Sequence, residues 1–113
     1  MNSLDLQGRV AVITGAARGI GKATAARLLS SGASVALWDA DGTALSKAHG
    51  ELSAHHGKRV TPSVVDVTDR STISAAHTDA LQHHGGIDIL INSAGILGPA
   101  PARWTIPKMR FVG

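Results

Sequence analysis

The segment Thr14-Gly15-Ala16-Ala17-Arg18-Gly19-Ile20-Gly21 brings together the residue types that binding an anion needs. It lies between an apolar, β-branched run and a helical pattern, the context in which such a glycine spacing becomes specific. Gly15 permits a tight exit from a strand, Gly19 lets backbone approach a pyrophosphate, and Gly21 allows a helix to pack closely on a sheet. A phosphate placed there meets free backbone N–H groups and the positive end of a helix. Asp39 closes the next strand-like run, where a carboxylate can accept hydrogen bonds from the hydroxyls of an adenosine ribose. A glycine-rich turn can be purely structural, and an aspartate at a strand end is by itself more often a turn former. Together the two point to a dinucleotide. The carboxylate favours NAD over NADP, because it opposes the charge of a 2′-phosphate.

The elements that must position these groups are read from periodicity. Val10 to Thr14, Ser34 to Asp39, Val60 to Val65 and Ile87 to Asn92 are strand-like runs separated by helix-length intervals, the pattern of βαβ units on a parallel sheet. Val10-Ala11-Val12-Ile13 and Ile89-Leu90-Ile91 do not alternate polar with apolar, as expected of strands covered on both faces. The first helix is expected over Gly19 to Ser31, with Ile20, Ala23, Ala26 or Arg27, and Leu28 inward and Gly32 as a left-handed cap. The second starts at Asp41 and turns Leu45, Ala48 and Leu52 to one face, although Gly50 inside it costs about 1 kcal/mol relative to alanine. The third runs from about Asp69, with Ile73, Ala76, Ala80 and Leu81 inward, and stops at Gly85-Gly86. Pro62 lacks a ladder donor and so belongs on an edge strand. That fits a doubly wound, four-stranded α/β sheet in the order 3-2-1-4 with helices on both faces. The pattern dissolves beyond Gly95, which gives a nucleotide-binding unit over 1–98 and an irregular tail over 99–113.

Composition narrows the partners. The chain has 113 residues, 43% of them hydrophobic, and a formal charge of +3. Its eleven basic residues are spread along the sequence, and only Trp38, Trp104 and Phe111 are aromatic, so neither a basic patch nor a stacking platform for nucleic acid is expected. No stretch reaches the length of a membrane span, and the start lacks the basic and apolar regions of a signal peptide. Cysteine is absent, which is compatible with a reducing cytoplasm. His55-His56 and His83-His84 fall at expected helix C-termini, where positive charge is favourable, and no carboxylate recurs beside both pairs at ligand spacing, so no metal site is expected. His49 and His77 are expected at the surface.

Taken with two later motifs, the sequence resembles the short-chain dehydrogenase/reductase family. Its cofactor turn is written Thr-Gly-x-x-x-Gly-x-Gly, as at Thr14 to Gly21. Asp66-Val67 is similar to the family's aspartate that caps the adenine, and Asn92-Ser93-Ala94-Gly95 resembles its Asn-Asn-Ala-Gly. Leu6-Gln7-Gly8-Arg9-Val10 and Gly86-Ile87-Asp88 are also in the family's style. The resemblance implies a Rossmann-type fold that binds NAD(H) through Gly15, Arg18, Gly19, Ile20, Gly21, Asp39, Asp66, Val67, Asn92, Ala94 and Gly95. It also implies hydride transfer between nicotinamide and an alcohol or ketone. Ser93 departs from the motif and is not expected to alter cofactor binding. The family's chemistry rests on a Tyr-x-x-x-Lys pair, a preceding serine and a helix asparagine. This chain has no tyrosine, and its only asparagines are Asn2 and Asn92, so no catalytic residue is assigned. The expectation is the cofactor-binding half of such an oxidoreductase in a truncated or fragmentary product, inactive alone. The alternatives are a non-catalytic dinucleotide-binding module and a non-functional fragment. An apolar edge at Ile87 to Asn92 would invite self-association.

Overall fold

The computed structural model describes residues 6–93; Ala94, Gly95 and the tail expected over 99–113 lie outside them. The elements run β1 (Val10–Thr14), α1 (Gly19–Ser30), β2 (Ser34–Asp39), α2 (Gly42–His56), a single 3-10 turn (Gly57–Arg59), β3 (Val60–Val64), α3 (Arg70–His84) and β4 (Ile89–Asn92). All strand pairs are parallel and the order is β3-β2-β1-β4. β1 is central and buried along its whole length, as its unbroken apolar run requires. On one face Ala11, Ile13, Val35 and Leu37 pack beneath Ala25 and Leu29 of α1 and Leu45 and Leu52 of α2. On the other, Val12, Ala36, Trp38 and Leu90 pack beneath Ile73, Ala76 and Ala80 of α3. Pro62 sits opposite Leu37 on β3, an outer strand, where its missing donor faces away from the ladder.

The face of α1 differs in part from the one expected: Ala26 and Leu28 pack against the core, partly buried, but they flank the innermost stripe. Gly21, Ala25 and Leu29 are buried, whereas Ile20 is 80% exposed and Ala23 is also exposed. The inward stripe is set by a glycine, which a count of apolar letters passes over. Ile20, one residue earlier, is thereby turned out of the core.

α2 passes through Gly50 unbroken, and a Cβ built there meets nothing within 4 Å. Gly50→Ala should therefore raise the unfolding free energy by about 1 kcal/mol. The change would be read as a higher denaturant midpoint at unchanged slope. A lowered midpoint would show that the site is not the open helical position described.

The histidines also depart from expectation. His77 is buried at 9% exposure on the inward face of α3, and its Nε2 has no hydrogen-bond partner among the described residues. It follows Ile73 by one helical turn, so the i, i+4 spacing carried the signal. His49 is half-buried, with Nε2 3.2 Å from the carbonyl oxygen of Val60. The two pairs do end α2 and α3, yet three of their imidazoles turn toward the start of β3. His83 Nε2 lies 3.3 Å from the Lys58 carbonyl, His84 Nε2 lies 2.9 Å from Thr61 Oγ1, and His56 Nδ1 lies 3.0 Å from Arg59 Nη2. Arg59 in turn donates to the carbonyls of Leu29 and Ala33, tying the end of α1 to the same corner.

Burial, then the Arg59 guanidinium, then His55, lower the His56 pKa; burial and then His83 lower that of His84, with Asp79 opposing. The unfolded chain, with histidines near 6.5, thus binds more protons than the folded chain once the pH drops to that value. Stability is full above it and lost as the pH falls through and below it. Melting at pH 5.5 should occur below melting at pH 7.5, and His84→Gln should shrink the difference. An identical difference in that variant would remove His84 from the effect.

Candidate functional site

The strand order reverses between β1 and β4, and an open groove of about 540 Å³ lies at the C-terminal ends of the strands there. In open parallel sheets this is where ligands bind. The turn from β1 to α1 forms one wall. Gly15 has φ +65° and Gly19 φ +59°, backbone conformations that side-chain-bearing residues adopt rarely. The two helix-end glycines then separate in role. A Cβ on Gly19 would meet nothing within 4 Å, whereas one on Gly21 would lie 2.2 Å from the Gly15 carbonyl oxygen and 2.6 Å from Ser93 Oγ. Gly21 thus lets α1 sit against the strand ends, and Gly19 leaves the groove side of the turn clear.

Asp41 caps α2 by accepting from Ala44 N–H, and Asp69 caps α3 by accepting from Ser71 N–H. Among the described residues no side chain caps α1, and its first turn carries no acid. Its leading N–H groups and positive helix end are therefore available to a ligand anion. Held at this height, the turn is tied to β2: Ala16 N–H donates to the Trp38 carbonyl (3.2 Å) and Ala17 N–H to Asp39 Oδ2 (3.0 Å). The other oxygen of Asp39 accepts from Asp41 N–H at 2.9 Å. One carboxylate thus braces both the glycine turn and the start of α2.

At the far rim, Asp66 Oδ1 accepts from the N–H and hydroxyl of Thr68, and these bonds hold the Asp66 carboxyl below the usual carboxylate range. Arg18 forms an exposed ion pair with Asp41, Nη2 to Oδ2, at 2.6 Å. The Ala44 N–H foremost, and Arg18 after an opposing desolvation cost, lower the Asp41 pKa. On the β4 side, Thr14 Oγ1 donates to Asn92 Oδ1 (2.7 Å) and Ser93 Oγ donates to the Thr14 carbonyl (2.6 Å), buckling the two strand ends together.

Of the residues singled out from sequence, Gly15, Arg18, Gly19, Ile20, Gly21, Asp39, Asp66 and Val67 line this groove. Asn92 does not line it; its side chain serves the buckle, and Ala94 and Gly95 lie outside the described residues. Sequence reasoning passed over Thr14, Trp38, Ala40, Val65 and Ser93 as lining residues. Each stands beside a residue it did select, so the signal for them was adjacency at a strand end. Among the described residues no cluster of three or more His, Asp or Glu side chains could hold a metal ion, and no helix is long and apolar enough to cross a membrane.

Sheet order, covered faces and a groove at the switch point define the class: a doubly wound α/β unit of the Rossmann type. The chain belongs to the short chain dehydrogenase family, whose family model matches residues 9–108. It is 42% identical over 104 residues to a 2-dehydro-3-deoxy-L-rhamnonate dehydrogenase (NAD(+)) of Sphingomonas, an alignment covering 92% of this chain and 40% of that protein. It is 42% identical over 109 residues to 1-deoxy-11-beta-hydroxypentalenate dehydrogenase of Streptomyces exfoliatus, covering 96% of this chain and 39% of that one. Among solved structures it is similar to a short chain dehydrogenase/reductase from Burkholderia phymatum in complex with NAD, with TM-score 0.72, 34% identity, and coverage of 77% of this chain and 31% of that one. The chain therefore spans about 40% of the length of the curated relatives it matches.

Proposed function

We propose that this chain is the NAD(H)-binding portion of a short-chain oxidoreductase that moves hydride between nicotinamide and an alcohol or ketone, the unit spanning 1–98. The observation that carries the reading is the uncapped N-terminus of α1, which opens on the same groove as Asp39 and Asp66. NAD-bound relatives of similar fold support it. In this reading the N–H groups at the start of α1 hold the pyrophosphate, and the open side of Gly19 gives it room. Asp39 accepts from the ribose hydroxyls, while Asp66 and Val67 flank the adenine. Exposed Ile20 offers an apolar surface beyond the phosphates. The bound nicotinamide supplies the hydride donor or acceptor. The lack of cysteine supports a cytoplasmic setting, and the place of β4 at the end of the sheet formed by the described residues supports self-association. One observation favours a second reading for these 113 residues taken alone, a dinucleotide-binding module without turnover: they include no tyrosine.

NAD is expected to bind more tightly than NADP. A carboxylate about 4 Å from one phosphate charge opposes it by roughly 4 kcal/mol at an effective dielectric near 20. An exposed arginine pair returns at most about 1 kcal/mol, so Asp39 decides. Calorimetric titration with both dinucleotides is the test, and equal or tighter NADP binding would overturn the assignment. Asp39→Asn should narrow the preference and also weaken both affinities, because an amide cannot accept from Ala17 N–H and Asp41 N–H together.

A further inference from the structure

Arg18 and Asp41 make an ion pair that the cofactor reading leaves without a purpose. Arg18 lines the groove and Asp41 does not. The Ala17 N–H, in the residue preceding Arg18, is bonded to Asp39 Oδ2 at 3.0 Å, so the arginine departs from the backbone beside the carboxylate that would meet the ribose. Its guanidinium is engaged by Asp41 Oδ2 at 2.6 Å. Asp41 cannot follow it, because it is held at two other points. Its Oδ1 accepts from Ala44 N–H at 3.0 Å and its own N–H donates to Asp39 Oδ1 at 2.9 Å. The fixed partner is the aspartate and the movable one is the arginine, which is 69% exposed along its side chain.

We propose that Asp41 is a positioning residue for cofactor selection, holding Arg18 at the rim so that its guanidinium is withheld from a 2′-phosphate monoester. The inference rests on the NAD(H) reading of the groove. Arginine is the side chain best matched to phosphate, through two parallel charge-assisted bonds. Left unengaged beside Asp39, it would offset the repulsion that rejects NADP. Engaged by Asp41, it is neutralised and turned aside. Discrimination is thus shared by two aspartates: Asp39 repels the phosphate, and Asp41 removes the cation that could rescue it.

The test is titration of the 113-residue chain with NADH and NADPH, comparing wild type, Asp41→Asn, Arg18→Gln and the double variant. Asparagine is as good an N-cap as aspartate, so the Ala44 bond and α2 survive the change. Asp41→Ser, a second good cap, replaces it should the melting temperature fall. The expected result is NADPH affinity about three- to fivefold higher in Asp41→Asn, with NADH affinity within about twofold, as the strength of an exposed ion pair allows. That gain must vanish when Arg18→Gln is the background. An unchanged NADPH affinity overturns the proposal. So does a gain of the same size without Arg18, which would mean that loss of negative charge alone is felt. Wild type that binds neither dinucleotide overturns the cofactor reading itself and this inference with it, whereas tight NADH binding with no response to Asp41→Asn overturns only the inference.

Discussion

Gly19→Val is expected to cost about a hundredfold or more in NAD(H) affinity while the sheet and helices remain folded. A hydrogen bond to a charged group contributes about 1.5–3 kcal/mol, so losing two backbone donors to a pyrophosphate is enough for that loss. The branched side chain would enter the open side of the turn, which nothing else fills within 4 Å. It would also resist the left-handed conformation at φ +59°, at a cost of about 1–3 kcal/mol. Gly19→Ala separates the two causes, since it keeps most of the strain and adds little bulk. Gly21→Ala is the contrasting variant. Its Cβ would stand 2.2 Å from the Gly15 carbonyl oxygen, so the turn or α1 must move and the melting temperature should fall. Titration beside a thermal melt reads both effects. Unchanged NAD(H) affinity in folded Gly19→Val would end the phosphate-turn assignment.

The polypeptide of these 113 residues is expected to show no measurable turnover with any alcohol or ketone, even with NAD(H) bound. Reduction of a ketone by hydride needs a proton at the developing alkoxide, and oxidation of an alcohol needs that proton removed. The tyrosine that the family uses for this is not in the sequence. A placed acid or base is worth about 10² to 10⁴ in rate, and correct placement of the substrate as much as about 7–11 kcal/mol of barrier. None of the groove's described residues stands out as a replacement: Asp39 is occupied by two backbone donors, and the hydrogen bonds from Thr68 that lower the Asp66 pKa make it a weaker base and a poorer proton donor. Absorbance of NADH against a broad panel of alcohols and ketones is the measurement. Reproducible turnover that disappears in Gly19→Val would show that the catalytic groups are among these residues after all. Addition of the remaining part of a relative, carrying the serine, tyrosine and lysine, is expected to restore activity if it pairs with β4.

Strand identity, sheet order and the glycine turn were all legible in the sequence because each rests on local rules. Buried parallel strands read as unbroken apolar runs, Pro62 must lie at an edge, and Asp41, Asp69 and Gly85 mark helix ends by chemistry confined to one turn. The resemblance carried by the glycine turn, Asp66-Val67 and Asn92 to Gly95 points to the same groove. Tertiary structure alone decided what depends on contacts between elements. The inward face of α1 turns on Gly21, whose role is the absence of a side chain against Gly15 and Ser93, and no apolar count reveals a space that must stay empty. His77 stands at a spacing from Ile73 that allows burial, but that a polar side chain is buried there is decided by the packing of α3 on the sheet. The bond from Ala17 N–H to Asp39, the closure of the β1 and β4 ends by Ser93 and Thr14, and the pairing of Arg18 with Asp41 join residues far apart in the chain. Sequence fixes which side chains carry charge or hydrogen-bonding atoms; their partners are set by register and crossover geometry, which exist only once the sheet has formed.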